Sequence, residues 1–505
     1  MNIKRNYLIR IASILLFFVA LANCKKSNLT SPTPTPVAKV IPDTSVVNRF
    51  IHDGLQLYYL WMDSIPRLTA QKYTIKDTLN ALLNSYNDPQ KFFTSLLYKY
   101  QAVDKWSFMV ADPNVISNWI QGISETMGFD FMLVRIGSTD NIFGFVRYIY
   151  KGGPADLAGM KRGDLFMQVN GTQLTVSNYQ TLLLTNKVYT LSFATITGDN
   201  VVGHKIALNG KSITMTAITM QENPILLDTV LTVNNSKVGY LVYNGFNAAF
   251  DLQLNLVFQR FKTAGVGNLI LDLRYNGGGS VQTAIYLASM IYSTSTSKIF
   301  IKNRYNSAIQ QYFTSTQGAN YFNDYFTDNI AATTTTAKTP IVSLNLSKLY
   351  VITSDNTASA SELLINGLKP YMNVVQVGDT TVGKYVASTT IQEADVYTTP
   401  NAKDKYAMQP IIMKYFNSAG VSDFVKGLIP DPANIVDEDY TNLIAFGDPN
   451  ETILKGVINL INGFPLKNLP LRSAQMGMKK VFDAQDARPF AKQMYVNPLP
   501  KIKKP

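Results

Sequence analysis

Leu349-Tyr350-Val351-Ile352-Thr353 is followed by Ser354-Asp355-Asn356-Thr357-Ala358-Ser359-Ala360-Ser361-Glu362 and then by an apolar run to Leu368. The first five residues are apolar or β-branched without polar alternation, which predicts a strand buried on both faces. Residues 361–368 predict a helix. A short polar turn therefore joins a buried strand to a helix, the repeating unit of an α/β fold. A hydroxyl on such a turn is exposed at the strand end, beside the free N–H groups that open the helix. Those donors suit a developing oxyanion. Ser359 is a candidate nucleophile on that ground. A plainer alternative is that the segment only caps the helix, because Ser and Thr are good N-caps.

Downstream, Val374 to Val377 predicts another strand, and Gly378-Asp379-Thr380-Thr381-Val382-Gly383-Lys384-Tyr385 follows it. A serine nucleophile needs a base. The two histidines, His52 and His204, both fall outside the α/β stretch. A lysine serves instead when burial lowers its pKa toward neutrality, and Gly383 permits a close approach to Lys384. The same residues spell G-x-x-x-x-G-K, the start of a phosphate-binding loop, which requires Ser or Thr next and then a helix. Tyr385 and the strand-like Val386-Ala387-Ser388-Thr389-Thr390-Ile391 argue against it. No nucleotide is expected.

Upstream, Val238 to Tyr243 and Asn268 to Leu273 predict strands, Phe250 to Phe261 and residues 281–292 predict helices, and Asn276-Gly277-Gly278-Gly279 predicts a turn. Strands alternating with helices make 226–465 an α/β core. Glu451 to Asn462 is a last helix, and 466–505 reads as a Pro- and Lys-containing tail. Residues 43–110 read as helical, from Val46, Val47, Phe50, Ile51 and Leu55, then Thr78 to Leu83, then Phe92 to Tyr100. The aromatics there, up to Trp106, are assigned to core packing.

Residues 111–225 are β-rich. Gly128-Phe129-Asp130-Phe131 opens a strand, and Phe143 to Tyr150 forms another. Gly153-Pro154-Ala155-Asp156-Leu157-Ala158-Gly159-Met160 precedes Arg162-Gly163-Asp164-Leu165-Phe166 and Val169-Asn170-Gly171. Pro154 suits a helix start and Gly159 its end, and Asn-Gly is a tight-turn signal. This pattern resembles a PDZ domain of the bacterial protease type. Such domains take a peptide C-terminus as an added strand, here on the edge opened by Gly128, Phe129, Asp130 and Phe131.

The ends of the chain carry different information. Lys4, Arg5 and Arg10 precede the apolar residues 11–22, the n-region and h-region of a signal peptide. The stretch ends Leu21-Ala22-Asn23-Cys24, and Cys24 is the sole cysteine, so no internal disulfide is possible. The ending resembles a bacterial lipobox, which implies lipidation of Cys24. Residues 25–42 alternate Pro, Thr and Ser and read as an extended tether. The expected location is the bacterial cell envelope, with the chain exported and held on a membrane by its lipid. The net charge of +12 is scattered apart from Lys25-Lys26 and Lys501 to Lys504. It is read as a solvated surface rather than a nucleic-acid interface. Charged residues are 16% of the 505, below the ~25% usual in soluble domains.

Thr357-Ala358-Ser359-Ala360-Ser361-Glu362, with Gly383-Lys384 placed so that the lysine follows the serine by 25 residues, resembles the C-terminal processing (tail-specific) serine proteases, a family related to tricorn protease. Asp272-Leu273-Arg274-Tyr275-Asn276-Gly277-Gly278-Gly279 is similar to a further motif of that family. The resemblance covers roughly residues 45–465. It implies a crotonase-like protease core, so the fold expected is multidomain α/β: an N-terminal helical segment, a PDZ domain and that core. It also implies Ser359 as nucleophile, Lys384 as base, and the N–H groups of Gly278 and Ala360 as the oxyanion hole. Family members often carry Gln four residues after the lysine, where it orients the base. Ser388 occupies that position here and is the candidate orienting residue. Ser361 is the competing nucleophile. Protein or peptide tails are the expected substrates, with no metal or other cofactor. A peptide-binding scaffold with weak or lost activity is the alternative.

Overall fold

A computed structural model describes residues 44–136, 138–198, 205–401, 405–466 and 477–497. The expected signal peptide, Cys24, the whole tether and His204 lie outside the described residues.

Ile225–Val233, Ser236–Tyr243, Asn268–Asp272, Lys348–Thr353 and Asn373–Gly378 form a five-stranded sheet in that order. The first pair is antiparallel and the remaining three pairings are parallel. The parallel strands come from the apolar runs: Leu269, Ile270, Leu271, Leu349, Val351 and Ile352 are all fully buried. Helices Asp251–Thr263, Val281–Ile291 and Ala360–Leu368 connect them. Every residue of Ala360–Leu368 is buried, the polar Ser361, Glu362 and Asn366 included. Parallel strands share one carboxyl edge, and three loops leave the sheet there: residues 273–279, 354–359 and 379–385. In open α/β sheets that edge is where ligands bind.

A second, six-stranded sheet runs Gly279–Ser280, Met494–Tyr495, Val386–Ser388, Ile411–Asn417, Ile299–Arg304 and Asn323–Tyr325. The N-terminal helices Thr44–Tyr58, Lys76–Asn84 and Pro89–Ser95 share a single hydrophobic core with the α/β sheet. Asp88 caps the third of them through Gln90 and Lys91 N–H, with Pro89 at the first helical position. That helix stops at Ser95, short of the expected Tyr100. Tyr98 N–H donates to the Tyr59 hydroxyl instead, and Lys99 and Gln101 take left-handed backbone angles.

The third sheet is the PDZ domain: Met478–Asp483, Phe129–Ile136, Ile142–Ile149, Leu165–Val169, Val188–Thr197 and Lys205–Thr216 in spatial order. Its core includes Phe129, Phe131, Phe166 and Leu191. The edge strand Met478–Asp483 comes from the segment that reads in sequence as a tail. Residues 477–497 are thus built into both the PDZ sheet and the six-stranded sheet. Among the described residues, no helix is long and apolar enough to cross a membrane.

Candidate active site

Ser359 ends the loop that leaves strand Lys348–Thr353. Its backbone stands at φ 63° and ψ −115°, a region that costs a non-glycine residue of order 1–3 kcal/mol. The strain is held by neighbours on both sides. Thr357 Oγ1 donates to Leu273 O at 2.8 Å, and Ala358 N–H donates to Asn276 O at 3.1 Å. Asn276 also braces the glycine turn, donating to Tyr243 O and accepting from Gly278 N–H, each at 2.9 Å. Gly278 has φ 111°, and a Cβ there would lie 2.5 Å from the Ser359 Cβ, so only glycine allows this approach. Ala360 opens the helix next to Ser359. Ser361 faces away, with its hydroxyl donating to Asn276 O at 3.1 Å.

Lys384 follows strand Asn373–Gly378 and is fully buried. Burial drives its pKa well below the ordinary lysine value, although Asp104 and Glu362 pull the other way. Glu362 ties this loop to the nucleophile turn. One of its oxygens accepts from Ser359 N–H (2.7 Å) and Lys384 N–H (2.9 Å), and the other from Gly383 N–H (2.6 Å) and the Thr381 hydroxyl (2.5 Å). Burial pushes the Glu362 carboxyl up to about 7, against those four donors.

The expected orienting residue is corrected by the structure. Ser388 is too short to reach Lys384, and its hydroxyl donates to Met494 O at 3.1 Å and accepts from Gln409. Lys384 Nζ donates to Gln493 Oε1 at 2.5 Å. Gln493 lies in the segment read as a tail, and its amide is fixed in turn by Trp106 O at 3.0 Å. Trp106, assigned to core packing from sequence, is only half-buried and places its ring 4.6 Å from Lys384 Nζ. Ser359 Oγ donates to Lys492 O at 2.9 Å. No hydrogen bond joins Ser359 Oγ to Lys384 Nζ.

Family models match three parts of the chain: peptidase family S41 over residues 237–433, the peptidase S41 N-terminal domain over 46–108, and a PDZ domain over 145–191. The first of these spans all three loops of the site.

The chain belongs to peptidase family S41.

The crystal structure of an S41 family protein from Bacteroides fragilis NCTC 9343 superimposes with TM-score 0.63 at 26% identity, over 82% of this chain and 97% of that one. Carboxy-terminal processing protease CtpA of Bacillus subtilis (strain 168) is 23% identical over 304 residues, 60% of this chain and 57% of that protein. Carboxyl-terminal-processing peptidase 1, chloroplastic, of Arabidopsis thaliana is 24% identical over 50% of this chain and 47% of its own length. The chain therefore spans about half the length of these curated relatives.

Two residues of the expected PDZ edge in this S41 chain are engaged inside the domain. Asp130 turns inward and pairs with Arg147 at 2.6 Å, both fully buried, so its side chain serves the fold. Gly128 is engaged inside the domain, donating to Thr126 Oγ1 and accepting from Tyr150 N–H. The Phe131 carbonyl accepts from Ala484 N–H at 3.1 Å.

Proposed function

We propose that this chain is a serine endopeptidase that cleaves protein substrates with Ser359 as nucleophile and Lys384 as general base. The observation that carries this reading is the placement of Ser359 and Lys384 on neighbouring loops at one sheet edge, tied together by Glu362, with the lysine buried enough to lose its proton. Family membership and the names of the relatives, which are processing proteases, support it.

In the proposed reaction a substrate tail adds to the PDZ edge at Phe131, and the chain leads into the cleft. Neutral Lys384 accepts the Ser359 Oγ proton as Oγ bonds to the scissile carbonyl carbon. The resulting oxyanion takes the N–H of Gly278, exchanged from Asn276 Oδ1, and that of Ala360. Lys384 then gives its proton to the leaving amine, and water releases the acyl group. Cys24, as the lipid-bearing residue after export, would hold this body at a membrane of the cell envelope.

A serine-reactive fluorophosphonate tests the assignment. The expected adduct is on Ser359; it disappears in Ser359→Ala and persists in Ser361→Ala. Undiminished labelling of Ser359→Ala overturns the assignment. A peptide-binding scaffold without a competent nucleophile would show no adduct in any form.

A further inference from the structure

The last described segment, residues 477–497, runs through both places where a substrate would lie. In the PDZ domain, Met478–Asp483 pairs antiparallel with Phe129–Ile136, with Asp483 opposite Met132, and it runs toward the end of that strand opened by Gly128. This is how a peptide ligand adds to a sheet edge. Phe482 is its apolar anchor, with its ring 6.1 Å from that of Phe131 and 5.2 Å from that of Tyr179. Asp483 accepts from Arg147 and from Asn356 (3.0 Å), so the strand is fastened where the PDZ domain meets the nucleophile loop.

The segment then enters the cleft. Met494 pairs in parallel with Gly279, and Tyr495 with Ser280 and Ser388, so the segment fills the gap between the glycine turn and the strand after Lys384. Two successive residues engage the two reactive groups: Lys492 O accepts from Ser359 Oγ, and Gln493 Oε1 accepts from Lys384 Nζ. The pose is that of an inhibitor. A substrate carbonyl oxygen would rest on the oxyanion donors, leaving the Ser359 proton to the lysine. Here the carbonyl oxygen rests on the serine hydroxyl, and Gly278 N–H is paired with Asn276.

We infer that residues 477–497 are an inhibitory strap, an internal ligand occupying the PDZ edge and the cleft at once, which an incoming substrate tail displaces by taking the PDZ edge. The inference rests on the proposed peptidase reading and adds its regulation. A tethered ligand competes at an effective concentration near ~mM, so its release changes activity strongly. A favoured substrate tail would carry an aromatic side chain where Phe482 now sits.

The test uses the full chain with a recognition site for a sequence-specific protease inserted after residue 470, so that folding precedes the cut. Hydrolysis of an unfolded protein and fluorophosphonate labelling of Ser359 are measured before cutting, and again after cutting and removal of the released peptide. Both rates are expected to rise at least about tenfold. Adding a synthetic 477–497 peptide should reverse the rise by raising KM at constant kcat. In the uncut chain, Phe482→Asp should also raise both rates. Rates that stay level or fall after the released peptide is removed, with a cooperative melting transition retained, overturn the inference and make the segment a fixed part of the sheet. If the cut chain does not stay folded, unchanged rates in Phe482→Asp overturn it. Absence of labelling in every form overturns instead the peptidase reading beneath it.

Discussion

Lys384→Ala is expected to lower peptide hydrolysis by about 10²–10⁴-fold, the range supplied by a positioned general base. Lys384→Arg should not rescue it, because a guanidinium stays protonated and cannot accept the Ser359 proton. The pH profile separates this role from a structural one. Burial holds the lysine pKa well below its ordinary value, so neutral Lys384 is available far below the pH at which an exposed lysine deprotonates. Activity should therefore rise with pH as Lys384 loses its proton, and fall on acidification as the buried amine charges. Glu362, pushed up to about 7 by burial, ionises nearby, and its negative charge raises the lysine pKa. The rising limb then reports the coupled pair rather than one residue. Glu362→Gln should shift that limb to lower pH. A Lys384→Ala chain that keeps its hydrolysis rate, or a profile unmoved by Glu362→Gln, contradicts this account.

Arg274→Ala is expected to cost about 3–5 kcal/mol of folding stability, read as the shift in urea midpoint. That is a large share of the 5–15 kcal/mol typical of a folded domain. The Arg274 side chain is only 1% exposed and lies among three carboxylates. It donates to Asp272 Oδ2 (2.8 Å), Glu438 Oε1 (2.9 Å) and Glu451 Oε1 (2.8 Å). Burial alone would raise the Glu438 carboxyl, but Arg162 and Arg274 outweigh it and hold it down to about 2. Without the guanidinium, Asp272 keeps only the Tyr240 hydroxyl as a side-chain donor. Glu451, which caps the helix Thr452–Ile461 through Leu454 N–H, is left with Arg162 at 3.8 Å. The cost arises from uncompensated buried charge, so a second change, Glu451→Gln, should recover part of it. A loss under about 1 kcal/mol would mean that water reaches these carboxylates when the arginine is removed.

Much of this was legible in the sequence because the decisive features are local. A strand buried on both faces reads as a largely apolar run, and Leu349–Thr353 and Leu269–Leu271 are such runs. A nucleophile on a strand-to-helix turn leaves Ser359, Ser361 and Glu362 within a few residues of each other. The lysine could be placed because its strand is the neighbour of the serine strand. The remainder depends on contacts between remote positions. Met494–Tyr495 is a two-residue strand with partners at Gly279, Ser280 and Ser388, and no periodicity can announce a strand so short. Gln493 could not be found for the same reason: the residue that accepts from Lys384 Nζ arrives from the far end of the chain. Trp106 sits among aromatics that do pack a core, and its position over Lys384 follows from tertiary structure alone. That the strand Phe129–Ile136 takes a partner strand, Met478–Asp483, from the same chain was not visible in either segment alone.

The most direct measurement of the central claim is cleavage of an unfolded protein by the purified wild-type chain and by Ser359→Ala at equal concentration. The account predicts fragments from the wild type and none above the uncatalysed background from the variant, with the variant unchanged in melting temperature. Equal fragment yields from the two proteins would contradict it, because the reaction would then run without Ser359.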